Sequence, residues 1–209
     1  MKKIYLFIVA LVLIAGSTKA QNDSNAKKIL DAVSAKLKTY KGITAGFNLV
    51  SKGRSGKVNN RMAGKIYIKG NKFYIKHGAS EIFSDGNKTW NYNGNDEVTV
   101  ADADANTQTL SPQSLFTNFY DKDFTYKLVS SVGNYNEIQL IPNDKRKNFQ
   151  RVNVFVDKAR MMITKARVLD KSNSTIEVNL SNINTAANIP DNTFVFNKNK
   201  YKKNIEVIE

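Results

Sequence analysis

His77 is the only histidine in the 209-residue chain, and there are no cysteines. A metal site of imidazole and thiolate ligands, or a nucleophile activated by a neighbouring base, needs partners that these counts do not supply. His77 shares a face with Phe73 and Ile75 if their strand runs that far, and Gly78 behind it marks a strand end. Asp102, Asp104 and Asn106 resemble the start of a calcium loop. The glycine that such a loop needs at its sixth position is Thr107, however, and the acid at its twelfth is Gln113, so the stretch reads as a solvated loop. Asp85 before Gly86 is better explained by a turn than by acid–base work. No paired carboxylates, Ser-centred elbow or phosphate-cradling glycine loop stands out. The chain therefore reads as a protein that is not an enzyme, with no catalytic residue, no metal and no cofactor assigned. Lys145-Arg146-Lys147, with Arg151, could dock an anionic surface or an acidic partner, or could simply keep a loop soluble.

The formal charge is +14. Part of it belongs to a leader: Met1-Lys2-Lys3, an apolar run from Ile4 to Ala15, then Thr18-Lys19-Ala20, the pattern of a cleavable secretory signal peptide over residues 1–20. The run is shorter than the ~20 residues that span a bilayer. Without Lys2, Lys3 and Lys19 the remaining chain, residues 21–209, carries +11 and is expected to be one soluble exported domain. Its basic balance suggests anionic partners, which for an exported protein are membrane surfaces or acidic polypeptides and not nucleic acid. The lack of cysteine also excludes an N-terminal lipid-modified Cys and leaves the core to supply stability without disulfides.

The elements that would position any site follow from periodicity. Ala26, Ile29, Leu30, Val33, Leu37 and Tyr40 recur at spacings of three and four, which predicts a one-sided helix over 24–41, capped by Asp23 or Ser24 and followed by Gly42. From there the period is 2. Phe47 and Leu49, then Met62, Gly64, Ile66 and Ile68, then Phe73 and Ile75 mark strands with one apolar face. Ser84-Asp85-Gly86 predicts a hairpin, after which Trp90 and Tyr92 share a face. Ser111-Pro112 starts a short helix bearing Leu115, Phe116 and Phe119, a candidate lid. Strands resume from Phe124 and run to a last one holding Phe194 and Phe196. About ten antiparallel strands with two helical interruptions predict a large curved sheet or barrel whose open mouth or concave face is covered by the helices.

In order along the chain, Ile29-Leu30, Phe47, Gly64-Lys65-Ile66-Tyr67, Ser84-Asp85-Gly86…Trp90…Tyr92, Leu140-Ile141-Pro142, Val156-Asp157 and Ile189-Pro190-Asp191…Phe194-Val195-Phe196 resemble the periplasmic outer-membrane lipoprotein carrier protein (LolA) family. The resemblance implies a mainly β fold with α: an incomplete, open antiparallel β-barrel with helices forming a lid over an apolar cavity. It implies a monomeric periplasmic carrier, with acylated lipoproteins as cargo, an inner-membrane ATP-driven transporter as donor and an outer-membrane lipoprotein receptor as acceptor. A sensor or adaptor of the same fold that binds acylated ligands in envelope signalling is the alternative. Many relatives carry an Arg-Pro after the strand that here reads Ile66-Tyr67-Ile68-Lys69, with the Arg thought to latch the lid. This chain has Gly70-Asn71 instead, so no latch residue is carried over.

Such a role sets a physical requirement. Burying a methylene is worth about 0.8 kcal/mol, so a sixteen-carbon chain costs roughly 12 kcal/mol to keep in water. A curved sheet with one wholly apolar face could offset that. The candidates for the acyl-chain cavity are Phe47, Leu49, Ile66, Ile68, Phe73, Ile75, Trp90 and Tyr92, with Leu115, Phe116 and Phe119 on the lid; ordinary core packing is the competing role for each.

Overall fold

The computed structural model describes residues 22–103, 120–201 and 204–209. The leader 1–20 and the candidate lid residues Leu115, Phe116 and Phe119 lie outside them, as do Asp104, Asn106, Thr107 and Gln113. Among the described residues the chain forms α1 (Ser24–Lys38), β1 (Ile43–Lys52), β2 (Val58–Lys69), β3 (Lys72–His77), β4 (Ser80–Ser84), β5 (Lys88–Tyr92) and β6 (Glu97–Asp102). After these come α2 (Tyr120–Asp123), β7 (Phe124–Ser130), β8 (Tyr135–Pro142), β9 (Phe149–Asp157), β10 (Met162–Asp170), β11 (Thr175–Asn184) and β12 (Glu206–Ile208).

All twelve strands belong to one sheet, in the order β12-β6-β5-β4-β3-β2-β1-β11-β10-β9-β8-β7. The sheet is open: its ends, β12 and β7, do not pair with each other. Every neighbouring pair is antiparallel except β12–β6, which is parallel. Cross-strand partners share a face, so the register sorts the side chains. Ile66↔Ile75↔Ile82 and Phe47↔Leu180 place their side chains on an inner face, which also receives α1.

The helix starts at Asp23, whose Oδ1 accepts from the N–H groups of Asn25 (2.8 Å) and Ala26 (3.2 Å). Its Oδ2 accepts from the Leu128 N–H of edge strand β7 at 3.0 Å, so one carboxylate caps the helix and ties it to the sheet. These bonds, that of Leu128 foremost, hold Asp23 below the usual carboxylate pKa. The apolar stripe, with Ala26, Leu30 and Val33 buried, packs on Tyr126, Ile138, Leu140 and Val152 from β7–β9. The helix ends at Lys38, earlier than the 41 expected, because Thr39 turns its N–H and hydroxyl back onto Lys36.

The expected last strand needs correction. Phe194 and Phe196 do not form a strand: Pro190-Asp191 opens a 3-10 turn over Asp191–Phe194, and the chain then crosses the outer face of β3–β6. The final strand is instead β12, which is too short for any periodic pattern to mark.

The hairpin at Asp85 forms as expected. Asp85 accepts from the N–H groups of Asn87 and Lys88, both at 2.8 Å, and Gly86 takes φ +94°, a value that disfavours other residues.

Candidate functional site

The inner face is divided. Helix α1 covers the β7–β10 half, while β1–β4 and β9–β11 enclose a cavity of about 590 Å³. That is within the range of roughly 300–1,000 Å³ typical of small-molecule sites. Its wall is made by Phe47 and Leu49 of β1, Met62 and Ile66 of β2, Ile75 and His77 of β3, and Ile82 of β4. The opposite wall is Phe149, Ile163, Ala166 and Val168, with Ile176, Val178 and Leu180 of β11. Phe149 also stacks on Phe124 at 6.1 Å between ring centroids, so it joins the cavity wall to the core under α1.

One glycine shapes this wall. Gly64 pairs with Phe47, and a Cβ there would come within 2.8 Å of the Phe47 ring and 2.1 Å of the Lys76 carbonyl. Only glycine lets that ring lie across the strand and into the cavity.

Polar groups on the wall are few. His77, Asn148 and Asp170 all stand at the end of the sheet where β3 and β10 stop and β9 starts. Asn148 is solvent-exposed, so the cavity reaches the surface at this end. Asp170 is held below the usual carboxylate range by the Ser172 hydroxyl (2.7 Å) and the Ser174 N–H (2.8 Å), which commits it to its own turn. Lys165 aims its ammonium outward, 4.9 Å over the Phe155 ring and 3.3 Å from Glu177. Thr164 lies at a bulge between Ile163 and Lys165, and its buried hydroxyl has no hydrogen-bond partner among the described residues.

Of the sequence candidates, Phe47, Leu49, Ile66 and Ile75 line this cavity. Ile68 and Phe73 belong to the same inner cluster, next to Ile43 at the far end, and do not line it. Trp90 and Tyr92 are elsewhere. Phe83↔Trp90 and Glu81↔Tyr92 put both on the outer face, where they pack with Val98, Ile205, Phe196 and Tyr201. The reason is the turn: Ser84↔Thr89 reverses the odd–even assignment between β4 and β5, so Asn91, not Trp90, follows Ile82 on the inner face. The union of the two walls leaves no mark in local sequence. The alternation in β10 and β11 was visible, but no local signal says that Ala166 and Val178 line the same cavity as Ile75.

The outer cluster has its own anchor. Glu81 is buried and accepts from Tyr74 (2.9 Å), Lys76 (2.5 Å) and Tyr201. Burial pushes its pKa up, but the bonds from Lys76, Tyr201 and Tyr74 outweigh that and leave it below the ordinary value. Nearby, Lys69 and Lys72 flank the Gly70-Asn71 turn and bind Asp191 at 3.0 and 3.2 Å. The Gly70-Asn71 turn thus fastens the C-terminal segment to the outer face.

No group of three His, Cys, Asp or Glu among the described residues could hold a metal ion. No described helix is long and apolar enough to cross a membrane. The described residues thus form one open, mainly antiparallel sheet with an apolar cavity on its inner face. The chain belongs to the LolA family: residues 38–197 match the family "Outer membrane lipoprotein carrier protein LolA". The match begins where α1 ends. Comparison with the curated proteins finds no match.

Among solved structures, an uncharacterized conserved protein from Thermus thermophilus superposes with a TM-score of 0.58 at 14% identity, covering 88% of this chain and 98% of that one. MucB superposes with a TM-score of 0.51 at 10% identity, covering 84% of this chain and 64% of the longer MucB chain. A LolA superfamily protein, NE2245 from Nitrosomonas europaea, gives 0.47 at 12% identity over 82% and 97% of the two chains. At these identities the first two establish the fold alone.

Proposed function

We propose that this protein is a periplasmic carrier that takes up the acyl chains of lipoproteins in the cavity between β1–β4 and β9–β11 and moves them from the inner to the outer membrane. The observation that carries the reading is the cavity itself: about 590 Å³, walled by aliphatic and aromatic side chains, with its polar groups confined mainly to one end. Phe47, Leu49, Ile66 and Ile75 hold the chain from one side, and Ala166, Val178 and Leu180 from the other. An apolar wall offers no reaction chemistry, so the work done is desolvation. Donor and acceptor are an inner-membrane ATP-driven transporter and an outer-membrane receptor, in keeping with the family.

The test is a release assay. Protein lacking residues 1–20 is added to spheroplasts making a labelled lipoprotein. The expected result is a soluble one-to-one complex in the supernatant. Lipoprotein that stays on the membrane, while a fluorescent fatty acid still enters the cavity, would replace the carrier by an acyl-ligand sensor of the same fold.

A further inference from the structure

Among the hairpin loops of the sheet, basic residues are concentrated at one end. Strands β2-β1, β11-β10 and β9-β8 are six consecutive neighbours, and each pair is joined by a hairpin at the same end. Those three loops, 53–57, 171–174 and 143–148, contain Arg54, Lys57, Lys171, Lys145, Arg146 and Lys147 against one acid, Asp144. At the opposite end the hairpins 70–71, 85–87, 131–134 and 158–161 contain only Lys158, Arg160 and Asp85. Two of those three are already engaged: Arg160 binds Asp157 at 2.7 Å, and Lys158 donates to the carbonyls of Ser131 and Gly133.

The end that carries the three basic hairpins is where the cavity reaches the surface, beside His77, Asn148 and Asp170. Two of the loops are fixed to each other, since the Lys171 N–H donates to the Asn148 carbonyl at 3.2 Å and its ammonium to the Lys145 carbonyl at 2.7 Å. Arg146 is taken up by Asp144. Arg54, Lys57 and Lys145 are exposed and make no ion pair among the described residues.

We infer that the three basic hairpins form a docking surface for an anionic lipid bilayer, which turns the open end of the cavity toward the headgroups. A row of cations along one end of the strands suits a broad negative surface, because each cation near such a surface adds to the attraction without a fitted pocket. The purpose of this surface rests on the acyl-binding reading above; its geometry does not.

Vesicle co-sedimentation tests it. The wild type should bind phosphatidylglycerol-containing vesicles, fail to bind phosphatidylcholine vesicles, and lose binding as salt rises. R54E/K57E/K145E should weaken that binding on the order of a hundredfold. K38E/K41E/K88E, with the same change in charge at the opposite end, should keep most of it. Equal loss in both variants would reduce the effect to net charge and overturn the docking surface. So would wild-type binding to polyglutamate with none to anionic vesicles. Uptake of a fluorescent fatty acid, measured in parallel, should be unchanged in both variants. Its failure in the wild type would sink the acyl reading while leaving the vesicle result to stand by itself.

Discussion

Phe83 of β4 lies directly across from Trp90 of β5, and this pairing puts the only tryptophan of the chain on the face opposite the cavity. The consequence is spectroscopic. Trp90 belongs to the cluster that includes Tyr92, Phe196 and Tyr201, so its emission should report the C-terminal segment and ignore the ligand. Saturating fatty acid is expected to leave the Trp90 emission maximum in place. Phe196→Ala should shift it to the red and cost about 2–3 kcal/mol in urea denaturation. A large ligand-induced shift in the wild type would place the acyl chain on the wrong face for this account.

Glu81 and Tyr201 join the sheet to the C-terminal segment. Tyr201→Phe and Glu81→Gln are expected to raise the rate of proteolysis after Phe196 while leaving fatty-acid affinity unchanged. The pH dependence has a definite sign. The folded Glu81 pKa lies below its unfolded value, so its stabilisation is complete above the unfolded value of about 4.3 and is lost as pH falls through the lower folded value. The difference in melting temperature between wild type and Glu81→Gln should therefore close on acidification. A gap that widened below that window would contradict the assignment.

Gly64→Ala tests the cavity wall. The added methyl would sit against the Phe47 ring and the Lys76 carbonyl, so the strand or the ring must move. Overpacking of this kind costs about 1–3 kcal/mol. Because the displaced ring lines the cavity, affinity for a long-chain fatty acid should fall severalfold. Fluorescent-probe titration beside thermal unfolding separates the two effects. Unchanged affinity in a destabilised variant would remove Phe47 from the binding wall.

Much of this arrangement was legible in the sequence. The stripe from Ala26 to Leu37 marks the amphipathic helix that forms, though it stops before Tyr40, and the alternation around Phe47, Ile66 and Ile75 marks strands with one apolar side. What could not be read was the parity across a turn. Trp90 and Tyr92 alternate as clearly as Phe73 and Ile75 do, yet the face they occupy depends on the pairing Ser84↔Thr89, which no local pattern reveals. The same limit hid the end of the chain. Phe194 and Phe196 have strand spacing, but Pro190-Asp191 opens a 3-10 turn and Tyr201 finds Glu81 some 120 residues away in sequence.

Thr164 has a hydroxyl without a partner inside the cavity wall, counting the described residues. An unsatisfied buried hydroxyl is a cost, and valine has nearly the same shape. Thr164→Val is expected to stabilise the protein by about 1 kcal/mol, read from the denaturation midpoint at constant slope. A loss of stability would mean that the hydroxyl is engaged within the fold.

The most direct measurement is photo-crosslinking with a fatty acid carrying a diazirine near its methyl end, followed by peptide mapping. The account predicts labels on peptides containing Ile75, Ala166 and Val178, from both walls, suppressed by excess unlabelled fatty acid. Labels confined to peptides containing Trp90 or Phe196, or spread without competition, would contradict it.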